Sequence, residues 1–154
     1  MSNKFMNRAI ELSIKSVNSG TGPFGAVIVK DNKIIAEGFN KVTSSNDPTC
    51  HAEISAIREA CKNINKFSLK GYELYTTCEP CPMCLSAIYW ARLDKVYYAN
   101  TRSDAQKIDF DDSLIYEELA KNIEDRKISM IQIDREKALK AFELWEKKTD
   151  KVKY

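Results

Sequence analysis

The residues with the clearest chemistry in this chain are one histidine, one glutamate and two cysteines. His51 is the only histidine, and Glu53 stands close behind it in the triplet His51-Ala52-Glu53. Cys81 and Cys84 belong to the segment Pro80-Cys81-Pro82-Met83-Cys84. One imidazole and two thiolates can bind Zn²⁺ and leave the fourth position of a tetrahedral ion open to water, which is the arrangement of catalytic rather than structural zinc sites. The pattern therefore predicts a catalytic zinc centre with the ligands His51, Cys81 and Cys84.

Glu53 is predicted to move protons at this centre. Side chains two positions apart on a helix point in different directions, so Glu53 is not expected to bind the same ion as His51. It can instead reach a water at the ion, accept its proton and deliver a proton to the departing amine. A His-x-Glu triplet followed by Pro-Cys-x-x-Cys is the signature of zinc-dependent deaminases that act on nucleobases.

The other three cysteines are not expected to bind the metal. Cys78 completes a Cys-x-x-Cys-x-x-Cys run with Cys81 and Cys84, and a fourth ligand is the alternative interpretation of it. Since Cys78 follows the predicted strand and lies on the strand side of Pro80, a role beside the metal site or in packing is the favoured interpretation. Cys50 and Cys61 are also expected to pack.

Composition indicates one ordinary globular domain. The chain has 154 residues, of which 44% are hydrophobic and 30% charged, and its net charge of +2 gives no electrostatic footprint for nucleic acid or membrane. The sequence has neither the apolar stretch of a signal peptide nor a membrane-spanning run. An odd number of cysteines without an export signal favours metal binding in a reducing compartment, so we expect a cytoplasmic protein.

Periodicity and turn residues predict an α/β fold, a three-layer α/β/α sandwich over a mixed five-stranded sheet, with residues 1–154 forming a single domain. The two tryptophans, Trp90 and Trp145, are expected in the core. Predicted helices span about 3–18, 51–61, 81–90, 113–119 and 134–147, and predicted strands span 25–30, 33–38, 71–77, 95–99 and 128–133.

The whole chain resembles the cytidine-deaminase superfamily and, within it, the small bacterial guanine deaminases. The segments that carry the more specific likeness are Gly22-Pro23-Phe24-Gly25-Ala26, Asn46-Asp47-Pro48-Thr49, Ala87-Ile88-Tyr89-Trp90-Ala91-Arg92, Phe110-Asp111-Asp112 and the final residue Tyr154. One departure is Cys50, which stands where such sequences often have alanine.

The resemblance implies hydrolysis of guanine to xanthine and ammonia, with one Zn²⁺ per subunit. By position, Phe24 would stack on the purine, Asn40 would hydrogen-bond its edge, and Asp112 together with Tyr154 would read its polar edge. The resemblance also implies a homodimer that exchanges C-terminal segments, so that the tail of residues 149–154 covers the partner's active site.

Without the resemblance, the sequence also allows purely structural roles for the four residues predicted to bind the base. Asn40 can form an Asx turn, Phe24 can belong to the core, and Asp112 can cap the helix predicted from residue 113. Tyr154 can be the end of a frayed tail.

Several other functions remain open at this point. The same chemistry would serve adenosine in tRNA, a nucleoside such as guanosine, or free cytosine, and a lysine cluster at 147, 148, 151 and 153 is the one candidate for contact with RNA. A non-catalytic interaction module stabilised by zinc would make Glu53 dispensable. A thiol redox protein built on Cys81 and Cys84 would leave His51 without a role.

Overall fold

Four strands form one mixed sheet in residues 3–154, the part of the chain that the computed structural model describes. The strands are β1 (Gly25–Lys30), β2 (Lys33–Phe39), β3 (Glu73–Cys78) and β4 (Lys95–Asn100), and their order in the sheet is β2-β1-β3-β4. β1 runs antiparallel to both β2 and β3, whereas β3 and β4 are parallel. Asp31 and Asn32 join β1 to β2 with φ values of 47° and 60°, the left-handed backbone that a tight hairpin turn requires.

The chain divides into a first unit that ends at Asp112 and a second unit, Ser113–Tyr154. Helices of the first unit are α1 (Lys4–Asn18), α2 (Val42–Ser45), α3 (Ala52–Ile64), α4 (Pro82–Ala91) and α5 (Arg102–Gln106). The second unit contains α6 (Ser113–Ala120), a 3₁₀ turn (Ile123–Asp125) and α7 (Arg135–Lys147). Among the described residues, no helix combines the length and the apolar character that are needed to cross a bilayer.

Helices cover both faces of the sheet because successive strand residues point to opposite sides. Ala26 and Ile28 of β1 belong to one buried cluster, whereas Val27 and Val29 belong to another. The first cluster includes residues of α3 and α4, and the second includes Phe5 and Leu12 of α1. The predicted mixed sheet with helices on its two faces is therefore confirmed for the first unit.

Gly38 allows the start of α3 to lie directly on β2. A Cβ atom at this position would overlap the carbonyl oxygen of Ala52 and would stand 2.5 Å from the backbone nitrogen of Ala56. Only a glycine permits two main chains to approach so closely. The contact fixes the beginning of α3, the helix that follows His51, against the sheet.

The predicted fifth strand, Ile128–Ile133, is wrong. The sheet of the described residues has four strands, and residues 129 to 134 form neither a strand nor a helix. Ile128, Ile131 and Ile133 are 81%, 79% and 77% exposed. Isoleucine favours strands because it packs well on a half-buried pleated surface, and in this chain no such surface covers the segment.

The prediction that both tryptophans lie in the core is also wrong. Trp90 at the end of α4 is 67% exposed, and Trp145 on α7 is 44% exposed. In α4 the inward positions are taken by smaller side chains, among them Cys84 and Ile88. Large apolar side chains therefore remain on the surface.

Candidate active site

Two helix N-termini bring the predicted metal ligands together. His51 is the N-cap residue of α3, and Cys81 is the N-cap residue of α4, with Pro82 in the first turn. Proline suits this position because its fixed φ matches the helix and its missing N–H would have had no helical partner. Before α3, Asp47 accepts hydrogen bonds from both the backbone N–H and the hydroxyl of Thr49, at 2.8 and 2.6 Å, which fixes the turn that leads to His51.

The side chains of His51, Cys81 and Cys84 converge. Nδ1 of His51 lies 3.6 Å from Sγ of Cys81 and 3.5 Å from Sγ of Cys84, and all three ligand atoms lie within 4.8 Å of one another. A nitrogen and a sulfur that bind the same tetrahedral zinc at its usual bond lengths are about 3.6 Å apart. The spacing and the donor types therefore fit Zn²⁺.

The surroundings of the two thiols favour a thiolate. The pKa of Cys81 is lowered to about 4, chiefly because the Cys84 thiol donates to its sulfur and also because His51 lies beside it. The pKa of Cys84 is raised, because its proton is shared with Cys81 and because the group is buried. The contact with Cys81 in turn raises the pKa of His51. A bound metal displaces such shared protons, since only deprotonated ligands coordinate it.

Glu53 is buried next to these ligands and is only 5% exposed. Its Oε1 accepts a hydrogen bond from the hydroxyl of Thr76 at 3.0 Å, and its Oε2 lies 3.5 Å from Sγ of Cys84. Burial raises the pKa of the Glu53 carboxyl, against the opposing effect of its hydrogen bonds. A buried carboxyl group with a raised pKa beside metal ligands is a candidate for proton exchange at the site.

Thr76 is a residue that the sequence analysis missed. It lies on β3, it is fully buried, and its hydroxyl fixes one oxygen of Glu53. The available signal was a polar residue on a buried strand that leads directly to the cysteines, because a buried hydroxyl needs a partner.

The remaining cysteines lie outside the three-residue group. Cys78 is buried at the end of β3, and its thiol donates to the carbonyl oxygen of Thr101 at 3.7 Å. Cys50 is half-buried, with Sγ 3.5 Å from the hydroxyl of Ser55. Cys61 packs against the buried cluster that contains Ala26 and Ile28. These positions agree with the packing roles expected for them.

The side chains of Asn40 and Phe24 both lie close to Gly22. A Cβ atom on Gly22 would lie 3.3 Å from Cγ and Nδ2 of Asn40 and 3.3 Å from Cδ2 of Phe24. Oδ1 of Asn40 accepts the backbone N–H of Val42 at 3.1 Å, which is the Asx-type contact considered from the sequence. Because this bond uses only the oxygen, the Asn40 NH₂ group is still a donor. The ring of Phe24 contacts Phe110 edge-on, with centroids 4.9 Å apart.

Asp112 is held by an arginine that the sequence analysis did not single out. Nε of Arg102 donates to Oδ1 of Asp112 at 3.3 Å. Arg102 begins α5, a short helix that was also missed, although Thr101 and Asp104 form a capping box that marks its start.

Tyr154 ends the second unit, and its side chain is 71% exposed. The structure thus brings His51, Cys81, Cys84 and Glu53 into one cluster, and it brings Phe24 and Asn40 together in the same unit.

Known proteins resemble this chain at the levels of both sequence and structure. Residues 1–100 match the family model of the cytidine and deoxycytidylate deaminase zinc-binding region. The guanine deaminase of Bacillus subtilis is 52% identical over 97% of each chain. Its X-ray structure has a TM-score of 0.95 and covers 100% of this chain and 99% of that one.

More distant relatives cover less of the chain. A tRNA-specific adenosine deaminase of Aquifex aeolicus is 42% identical over 62% of this chain and 63% of its own. A structure of guanine deaminase from Nitrosomonas europaea is 27% identical, with a TM-score of 0.68 over 73% of this chain and 67% of that one. Together with the His-Cys-Cys group and its buried glutamate, these matches show that the chain belongs to the cytidine and deoxycytidylate deaminase family.

Proposed function

We propose that this protein is a guanine deaminase, which hydrolyses guanine to xanthine and ammonia. The observation that carries the proposal is the convergence of His51, Cys81 and Cys84 around a buried Glu53, in a chain that is 52% identical to a guanine deaminase over 97% of its length.

His51, Cys81 and Cys84 would hold one Zn²⁺ per subunit. When bound, zinc lowers the pKa of a water in its open position to about 7 and so supplies a nucleophile at neutral pH. The two cysteines and the histidine are held by the first turns of α4 and α3, whose partial positive charge stabilises thiolates.

Glu53 is the proton carrier of the reaction. Its carboxylate accepts one proton from the attacking water and transfers it to the neighbouring ring nitrogen N3, where it stays, as C2 is attacked. The carboxylate then accepts the proton of the new hydroxyl on C2 and delivers it to the departing amine, so that the C2 carbonyl forms and ammonia leaves. Thr76 holds Oε1 in place, and burial excludes bulk water that would compete for the proton.

Four residues are proposed to bind the base. The ring of Phe24 offers a stacking surface, and the NH₂ group of Asn40 can donate to a purine acceptor. The carboxylate of Asp112 accepts hydrogen bonds from N–H groups of the base, and Tyr154 completes this polar edge. A site that pairs the polar atoms of its substrate rejects analogues that lack them much better than an apolar pocket does.

We also propose a homodimer in which the C-terminal segments are exchanged, so that Tyr154 and the tail of residues 149–154 cover the partner's site. In the second unit, residues 113–154, no side chain is buried, and large apolar side chains are exposed on it. Exposed apolar surface of this extent marks an interface. Examples are Ile128, Ile131, Ile133, Phe142 and Leu144, each at least 71% exposed.

A cytoplasmic location is part of the same proposal. All five cysteines lie in the described part of the chain and are free thiols. Free thiols that bind a metal depend on a reducing compartment.

The experiment that tests the function measures ammonia release from guanine, adenine, cytosine, guanosine, cytidine and tRNA, with and without a chelator. We expect turnover of guanine alone, abolished by the chelator and restored by Zn²⁺. Turnover of adenosine in tRNA without turnover of guanine would contradict the proposal and favour the activity named for the Aquifex relative. No turnover of any substrate by a zinc-loaded preparation would favour a non-catalytic role.

A further inference from the structure

The contact between Arg102 and Asp112 links the start of α5 to the segment that leads into α6. Nε of Arg102 donates to Oδ1 of Asp112 at 3.3 Å, and the two side chains are 36% and 19% exposed. Asp112 directly precedes α6, which begins at Ser113. The arginine restrains the carboxylate from α5, a different helix.

Arg102 itself is anchored from two directions. On one side, the hydroxyl of Thr101 accepts the backbone N–H of Asp104 at 3.3 Å, and Oδ2 of Asp104 accepts the backbone N–H of Thr101 at 3.0 Å. This reciprocal capping box fixes the first turn of α5.

On the other side, the backbone N–H of Arg102 donates to Oε2 of Glu79 at 3.2 Å, and the backbone N–H of Glu79 donates to the carbonyl oxygen of Asn100 at 2.9 Å. Glu79 directly follows Cys78 and lies two positions before Cys81. The segment that carries the metal-binding cysteines and the arginine that holds Asp112 therefore share one anchor.

The geometry of the pair suits a positioning role. A carboxylate only accepts hydrogen bonds, and it has two oxygens with which to do so. When Arg102 holds Oδ1, the plane of the carboxylate is set and Oδ2 can be presented to an N–H group of a base. Because the pair is partly exposed, it adds little to folding stability, so its main effect is on orientation.

We infer that Arg102 is a positioning residue for recognition of the base, acting through Asp112 and tied to the cysteine segment by Glu79. The inference depends on the proposed function, since it needs Asp112 to contact the substrate. It assigns no contact between Arg102 and the base itself.

The test is a double-mutant cycle on the zinc-loaded enzyme with guanine as substrate, using Arg102→Gln, Asp112→Asn and the double variant. Arg102→Lys is the conservative variant. Arg8→Gln is the matched control, because Arg8 also donates to a carboxylate, Glu37, at 2.7 Å on the surface of the first unit. For each variant kcat, KM, zinc content and melting temperature are measured.

We expect Arg102→Gln to raise KM for guanine about tenfold, with kcat changed much less and zinc content and melting temperature kept. In the Asp112→Asn background the same substitution should have little further effect, and Arg102→Lys should recover part of the loss. Arg8→Gln should leave KM unchanged.

Two results would overturn the inference. One is an unchanged KM in Arg102→Gln, and the other is a rise in KM that is equally large with and without Asp112. If Arg102→Gln does not fold, Arg102→Lys in the two backgrounds decides by the same comparison. A wild-type enzyme that does not deaminate guanine would refute the proposed function instead, so the two failures are distinguishable.

Discussion

Thr76 donates its hydroxyl to Oε1 of Glu53 at 3.0 Å, and both side chains are buried. The bond joins the strand β3 to the helix α3, so the proposed proton carrier is fixed by the sheet as well as by its own helix. The hydrogen bond from Thr76 also lowers the pKa of Glu53, against the larger effect of burial, which raises it.

Replacing Thr76 by valine should therefore slow catalysis and change its pH dependence. Valine has nearly the same shape but no hydroxyl, and loss of a hydrogen bond to a charged group costs about 1.5–3 kcal/mol, so we expect kcat to fall about 10- to 100-fold. Since Glu53 must be deprotonated to accept a proton and the pKa of its carboxyl would rise further, the acid limb of the kcat profile should move to higher pH. Thr76→Ser keeps the hydroxyl and should keep the profile. An unshifted profile in the valine variant would show that this bond does not tune Glu53.

Replacing Glu53 by glutamine should abolish most turnover while the metal is retained. Loss of a positioned acid and base reduces the rate by about 10²–10⁴, and glutamine preserves the size of the side chain. Glu59→Gln is the matched control, because Glu59 lies on the same helix and is exposed. Near-normal activity in the Glu53 variant would disprove the proton-carrier role.

Zinc content should separate the ligands from the other cysteines. Cys81→Ser and Cys84→Ser should each lose the stoichiometric zinc and the activity, whereas Cys78→Ser should keep one zinc per chain, because the Cys78 thiol donates to the carbonyl oxygen of Thr101. Elemental analysis of the purified variants gives the answer. Loss of zinc in Cys78→Ser with an unchanged circular-dichroism spectrum would support the alternative that Cys78 is a fourth ligand. In the wild type, a chelator should lower the melting temperature, because the metal binds the folded chain only.

A methyl group on Gly22 should weaken substrate binding. It would stand 3.3 Å from both Asn40 and Phe24, so one of these side chains must move, and we expect KM for guanine to rise about three- to tenfold, an effect of about 1 kcal/mol. Gly20→Ala is an informative control: nothing lies within 4 Å of the added atom, but φ is +80°. That variant should lose about 1 kcal/mol of folding stability and keep its KM. An unchanged KM in Gly22→Ala would show that Asn40 and Phe24 do not bind the substrate.

Exchange of the C-terminal segment can be tested by complementation. Removal of Lys153 and Tyr154 should leave a folded, zinc-loaded and nearly inactive enzyme. When this truncated chain is unfolded and refolded together with full-length Glu53→Gln, hybrid dimers should contain one site with both Glu53 and a tail from the partner. Random assortment of such dimers restores about a quarter of wild-type activity. If each tail serves its own chain, no mixture regains activity.

The convergence of His51, Cys81 and Cys84 was predictable from the sequence because two of the three stand at boundaries between elements and the third lies in the first turn of α4. His51 and Cys81 were expected at the starts of two helices, and both are N-cap residues. Local spacing determines such positions. The bounds of β1, α4 and α7 also agree with prediction to within one or two residues.

Partners from distant parts of the chain were not predictable in the same way. Thr76 reaches Glu53 from β3 to α3, and Arg102 holds Asp112 from a short helix, so neither contact follows from spacing along the chain. The prediction of a strand at Ile128–Ile133 failed for a related reason. Strand propensity does not show whether another strand is available to pair with the segment.

Gly38 determines more than the packing of one helix. By seating α3 on β2 through main-chain contact, it holds the start of α3, and with it His51, to the sheet. The position of this ligand is thus set by backbone packing, whichever ion the site binds. Because affinities of such a site for first-row metals differ in an order that does not single out zinc, the metal found in purified enzyme will reflect what the host cell or the growth medium supplied. Metal content should accordingly be measured for each preparation before its activity is compared with another.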